Sequence, residues 1–271
     1  MYVLRLIFYS TILFFMGQAC SSKKTAASEK NTVSKTGLAD YLKSDISKWN
    51  VPDSFKALLP ALDSIFLDDQ RYRSVSDNHL YFDNIKTQNR LDSINIIKLK
   101  RILSKYGWLD VNQIGARTVN LLFVLQHCKD ADKEYFLPIL LDAYRGERLV
   151  SSGLFLFIDR LLMGKREQQL FGTQMIARKG KPIGGVEDIY PMFEPDKVED
   201  RWIRYGNGFF KYKSYIKAAY KKVDWDAAIY LPFKQASAQQ LNISLDSTRQ
   251  IHRILYLLDS CKALMGKEKG K

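Results

Sequence analysis

Acid–base chemistry needs ionisable side chains held close together, and three of them stand where helical spacing expects apolar residues. Asp69 continues the face set by Leu62, Ile65 and Phe66, with Arg73 one turn further on. Asp159 lies between Phe155 and Leu162, beside Arg160. Gln126 and His127 close the apolar run Leu121 to Leu125. A lone buried carboxylate is costly, so each should be paired, and Arg73 and Arg160 are the nearest candidates along the chain. A further cluster of donors and acceptors, Gln169, Phe171, Gly172, Thr173 and Gln174, surrounds a conformationally permissive glycine.

Three kinds of chemistry fit these residues. In one, Asp69, Arg73, Asp159, Arg160 and the amides satisfy one another and fix helix packing. In a second, Asp69, Gln70, Arg73, Gln126, His127, Asp159, Arg160, Gln169, Thr173 and Gln174 line a ligand pocket. In the third, Asp69 or Asp159 works with His127 as acid and base in hydrolysis of an envelope polymer, with the separation of the carboxylates deciding the mechanism. Other chemistries lack their parts: there is no His-Glu-x-x-His, Cys-x-x-Cys, phosphate-loop or Gly-x-Ser-x-Gly pattern. His79 and His252 are isolated and read as surface or packing residues, and neither a metal nor a cofactor is expected. Cys128 and Cys261 sit on apolar helical stripes; they are placed either to pair in an oxidising compartment or to pack as small hydrophobes.

The elements that must position these groups are almost all helical. Pro60 opens a first helix, and a second runs from about Asp83 to Tyr106 with Leu91, Ile94, Ile97 or Lys98, Leu99 and Ile102 near one side. Others follow over roughly Ile114–His127, Asp132–Tyr144, Ser152–Met163, Asp196–Tyr205, Phe210–Val223 and Thr248–Met265. Residues 169–187 break the rhythm and read as a β-hairpin turning at Lys179, Gly180 and Lys181. The expected fold is mainly α, one multi-helix bundle with a small hairpin. The helical domain covers residues 51–223, and a basic helical extension over 224–271 packs on it.

Asp69-Gln70 with Arg73, Gly107-Trp108, Gly115, Gln126-His127, Asp159-Arg160, Gln169, Phe171-Gly172-Thr173-Gln174, Val198, Arg201 and Gly206 form a spaced pattern. It resembles that of domain-of-unknown-function family 6624 over roughly Leu58 to Tyr215. The resemblance implies a shared domain and supplies no reaction, because the family has no assigned activity. Phe171 stands where that family more often has Tyr, which removes a hydroxyl role there. Cys128 follows the His where a small residue is usual, which argues against a Cys nucleophile.

The first residues read as an address. Arg5 precedes an apolar run, Leu6 to Met16, that is about half of the roughly 20 residues a spanning helix needs. With Ala19 and Cys20 behind it, the segment resembles a bacterial lipoprotein signal, cleaved before Cys20, whose thiol then carries the lipid. Residues 1–19 would leave, and 20–50 would form a flexible tether to the membrane. Ser21 and Ser22 carry no inner-membrane retention Asp, so the outer membrane is favoured by resemblance to Gram-negative lipoproteins.

Charge adds a partner class. The 271 residues hold 42 Lys and Arg against 29 Asp and Glu, and 46% hydrophobic content excludes a disordered polymer. Residues 201–271 hold 14 basic and 5 acidic residues, so the excess concentrates there. Lys213, Lys217 and Lys221 recur along one predicted helix side and suit an anionic lipid or glycan. Nucleic acid is not expected for an exported chain, and no protein partner is indicated. The function expected is that of a lipid-anchored envelope binding or interaction module, with the Asp69, His127 and Asp159 hydrolase as its rival.

Overall fold

The structure is a computed structural model that describes residues 51–73, 84–177, 187–206, 211–219, 241–243 and 245–268. Residues 1–50, with the segment read as a signal, Cys20 and the expected tether, as well as His79 and residues 220–240, therefore lie outside the described residues. The chain is mainly helical, and where its periodicity reads as one bundle it divides into two compact units, one ending at Leu149 and one beginning at Val150.

In the first unit, the short α1 (Asp53–Lys56) precedes α2 (Leu59–Gln70). Pro60 sits in the first turn of α2, where its missing N–H has no helical acceptor to lose. The long α3 (Ile85–Tyr106) packs on α2, and α5 (Arg117–His127) packs against both. Between them lies α4 (Val111–Ile114), started by a capping box: the Asp110 carboxylate accepts from Asn112 N–H at 2.8 Å, and Gln113 Oε1 accepts from Asp110 N–H at 3.0 Å. The helix expected from Ile114 is thus two pieces, because Gly115 turns the backbone to φ 65°, which ends one helix before the next begins. Packed on α5 is α6 (Asp130–Arg145), which carries Pro138 in its interior.

The buried side of α3 differs from the expected one. Gln88, Asn95, Ile96, Leu99 and Leu103 are buried, whereas Ile94 and Ile97 face outward at 38% and 53% exposure. The apolar pattern misleads because polar Gln88, Asp92 and Asn95 occupy inward positions, where hydrogen bonds to α2 or to one another satisfy them.

In the second unit, α7 (Ser151–Gly164) is buried from Gly153 through Leu162. A loop leads to β1 (Met175–Ala177), which pairs antiparallel with β2 (Glu187–Ile189) in the register Met175 to Ile189. The expected strand from Gln169 is absent over 169–174; those residues fold as a loop instead, with Gln169 bridged to Met192. The expected turn at Lys179–Lys181 lies outside the described residues. A 3₁₀ turn (Pro195–Lys197) runs into α8 (Val198–Gly206), followed by α9 (Tyr212–Ala219) and α10 (Arg249–Glu268). Helices α8 and α10 pack on α7, and of the apolar α10 stripe Ile251, Ile254, Leu255, Leu258 and Cys261 that the spacing predicts, Ile251, Ile254 and Leu258 are buried while Leu255 and Cys261 are half-buried.

Candidate functional site

In the first unit, four ionisable side chains meet where the C-terminal ends of α2 and α5 approach the first half of α3. Asp69, in the last turn of α2, is buried to 1% exposure because it continues the Leu62, Ile65, Phe66 face. Its carboxylate lies 2.9 and 3.1 Å from His127 Nδ1, at the last residue of α5. Arg73 Nη1 donates to Asp69 Oδ1 at 2.9 Å and to the Asp69 carbonyl at 2.6 Å, while Gln70 Nε2 donates to Oδ2 at 2.6 Å. Arg73 also grips Asp92 of α3 with both guanidinium nitrogens, Nη1 at 2.9 Å, and Gln88 Nε2 donates to the same carboxylate at 2.8 Å. One guanidinium therefore ties α2 to α3, and one buried carboxylate ties α2 to α5.

An ionised carboxylate only accepts, so His127 Nδ1 carries a proton toward Asp69, and in the neutral imidazole Nε2 is then the acceptor nitrogen. Unlike Asp69, the groups around it reach the edge: His127, Arg73 and Asp92 are 18%, 17% and 14% exposed. An imidazole oriented by a buried carboxylate is able to take or give a proton at Nε2.

Asp92 and Gln88 complete this cluster and escape a reading based on apolar spacing. The signal for Asp92 was its isolation, since it is the one acid in the 22 residues of α3, flanked at one-turn intervals by Gln88 and Asn95. Gln126 is buried beside His127 in sequence, and its Nε2 has no hydrogen-bond partner among the described residues.

The other sequence-predicted residues lie in the second unit and have a different task. Asp159, fully buried in α7, accepts from the backbone N–H groups of Leu170 at 2.8 Å, Phe171 at 3.0 Å and Thr173 at 2.9 Å, and from Thr173 Oγ1 at 2.9 Å. Arg160 is buried beside it. Burial pushes the Asp159 carboxyl up to about 6, against the downward pull of these four donors. Gln169 spans the same loop, donating to the carbonyls of Gln174 at 3.0 Å and Tyr190 at 2.7 Å and accepting from Gln174 N–H at 2.8 Å. Gln174 Nε2 donates to Leu156 O at 3.3 Å.

The loop's carbonyls are satisfied from the other side. Arg201 Nε donates to Leu170 O and Trp202 Nε1 to Phe171 O, each at 2.8 Å. Tyr212 Oη donates to Gly172 O at 2.8 Å, and the Phe171 ring stacks on Phe155 with centroids 3.8 Å apart. Gly172 has φ 68°, and a Cβ there would fall 2.1 Å from Tyr212 Oη. With the N–H groups of Leu170, Phe171 and Thr173 and the carbonyls of Leu170, Phe171 and Gly172 satisfied, the polar side chains of this loop are spent on holding backbone.

Burial pushes the Cys128 thiol up to about 12, which keeps it from serving as a nucleophile at neutral pH, and no disulfide joins Cys128 to Cys261. Lys213 is exposed on α9, whose Tyr212, Tyr215 and Ile216 are buried; the side chains of Lys217 and Lys221 lie outside the described residues. Among the described residues, no group of three or more His, Cys, Asp or Glu is placed to hold a metal, and no helix is long and apolar enough to cross a membrane.

No curated protein and no solved structure matches the chain. A family model does, over residues 56–221, a span that holds both the Asp69–His127 cluster and the Asp159 loop. Since that span is more than half of the sequence, the chain belongs to the family of unknown function DUF6624.

Proposed function

We propose that the protein is a lipid-anchored component of the bacterial cell envelope, attached through Cys20 to the outer membrane, and that the C-terminal ends of α2 and α5 with the first half of α3 form its ligand-binding site. In the same reading, the antiparallel pair β1 and β2 belongs to the small hairpin expected from the sequence. The observation that carries the binding role is the buried Asp69 carboxylate, which holds His127, Arg73 and Gln70, groups that reach the protein edge, in fixed positions. Such preorganisation lowers the ordering cost of binding. The charge of the cluster narrows the ligand: two carboxylates against one guanidinium leave a net charge of −1, and of zero when His127 is protonated. Hydroxyl- and amide-bearing ligands such as envelope glycans or muropeptides fit this better than a phosphate does.

Thermal shift and calorimetry with muropeptides, neutral glycans and inorganic phosphate test the site. Muropeptide or glycan should raise Tm and phosphate should not, and His127→Ala should abolish the shift while the unliganded Tm stays within about 2 °C. A ligand shift unaltered by His127→Ala would overturn the assignment. Labelling with a fatty-acid probe tests the anchor; equal labelling of wild type and Cys20→Ser would sink it.

A second reading rests on the 2.9 Å approach of His127 Nδ1 to Asp69, which also suits an envelope hydrolase with His127 as general base. It requires that labelled peptidoglycan be cleaved and that Asp69→Asn slow cleavage at least 100-fold while binding persists.

A further inference from the structure

Helix α3 carries six Lys and Arg and a single acid, Asp92, over its 22 residues. The acid points inward to Arg73, Lys100 pairs with Asp132 at 2.5 Å, and Lys105 lies over the Tyr106 ring. The outer side holds the rest. Lys86, Arg90, Ile94, Ile97 and Arg101 follow one another at intervals of four, four, three and four, so they form one stripe roughly 22 Å long, with Lys98 beside it. All five stripe residues are exposed, and Lys86, Arg90, Lys98 and Arg101 make no ion pair among the described residues. Two exposed isoleucines thus lie between cations on a side of α3 that carries no acidic residue of its own.

That combination selects its partner. Cations alone would suit any polyanion, but a nucleic-acid backbone offers nothing to Ile94 and Ile97, and a second copy of this chain brings its own formal charge of +13. An anionic phospholipid surface satisfies both components, drawing Lys and Arg to its headgroups and admitting short apolar side chains at the acyl boundary. We infer that the outer face of α3 docks the first unit on an anionic phospholipid membrane, with Lys86, Arg90, Lys98 and Arg101 contacting headgroups and Ile94 and Ile97 inserting between them. The inference extends the lipid-anchor reading by giving the tethered chain a preferred face toward its membrane. It replaces the Lys213, Lys217, Lys221 side, suggested by sequence, as the main basic contact.

The test uses residues 20–271 bearing Cys20→Ser, which retains all described residues and cannot be acylated, so its outcome is independent of the anchor. Sedimentation is measured with vesicles of phosphatidylcholine alone and with 30% phosphatidylglycerol. The protein should partition into the anionic vesicles and not the neutral ones, and 0.5 M salt should release it. Each basic residue near such a surface strengthens binding by roughly fivefold, so Arg90→Glu with Arg101→Glu should weaken partitioning at least 25-fold. Ile97→Ser should weaken it severalfold, Lys213→Glu should change it little, and circular dichroism should be the same for all variants. Equal partitioning into both vesicle types, or anionic binding unaffected by the Arg90 and Arg101 reversals, would overturn the inference. Equal fatty-acid labelling of wild type and Cys20→Ser with vesicle binding intact would strike the anchor alone.

Discussion

Two buried aspartates in this chain are solvated in opposite ways, and their variants should fail differently. Asp159 is surrounded by backbone amides, so Asp159→Asn replaces an acceptor oxygen with an NH2 that faces donors; unfolding free energy should fall by about 3 kcal/mol in chemical denaturation. Its titration has a definite sign. The folded carboxyl, raised to about 6 from 3.8, binds its proton more tightly than the unfolded one. This group's contribution to stability is therefore full only below the unfolded value of 3.8 and is lost as pH rises through about 6, by on the order of 3 kcal/mol in all. The stability of wild type relative to Asp159→Asn should accordingly increase from pH 7 to pH 4. Asp69 instead faces side chains, so the matching change there disturbs His127 and Arg73. Apolar spacing made both aspartates visible in the sequence, and Arg73 as the local partner of Asp69 as well. It did not reveal the Asp159 donors, because backbone N–H groups 11 to 14 residues away leave no mark in residue type.

At the scale of elements, helix existence was legible and helix phase was less so. The α7 and α10 patterns read correctly because nearly all their inward positions are apolar. On α3 the inward side includes an Asp, a Gln and an Asn, so spacing favoured the outward isoleucines. The stretch 169–174 looked strand-like since its residues are large and apolar or amide-bearing; what decides its path is the Asp159 carboxylate and the positive φ at Gly172. Gly172→Ala should cost about 3 kcal/mol, combining backbone strain with displacement of Tyr212, and Tyr212→Phe should recover little of it. Asp110→Ala, which removes the cap of α4, should cost about 1 kcal/mol; thermal melts separate the two magnitudes.

For the molecule as a whole, the formal charge of +13 is less a property of one end than the sequence suggested. Residues 201–271 hold most of it, but α3 concentrates six cations on one helix of the other unit. Detergent phase partitioning reads the proposed anchor at this scale: membrane-expressed wild type should enter the detergent phase and Cys20→Ser the aqueous one. Amide hydrogen exchange would give another map of the whole chain, in which slow protons ordinarily mark helices and strands. The Asp159 loop breaks that rule. Leu170, Phe171 and Thr173 belong to no helix or strand, yet their protons point at one enclosed carboxylate. They should exchange as slowly as helical amides of α7, and Asp159→Asn should release these three together, making them a built-in gauge of when that interior opens.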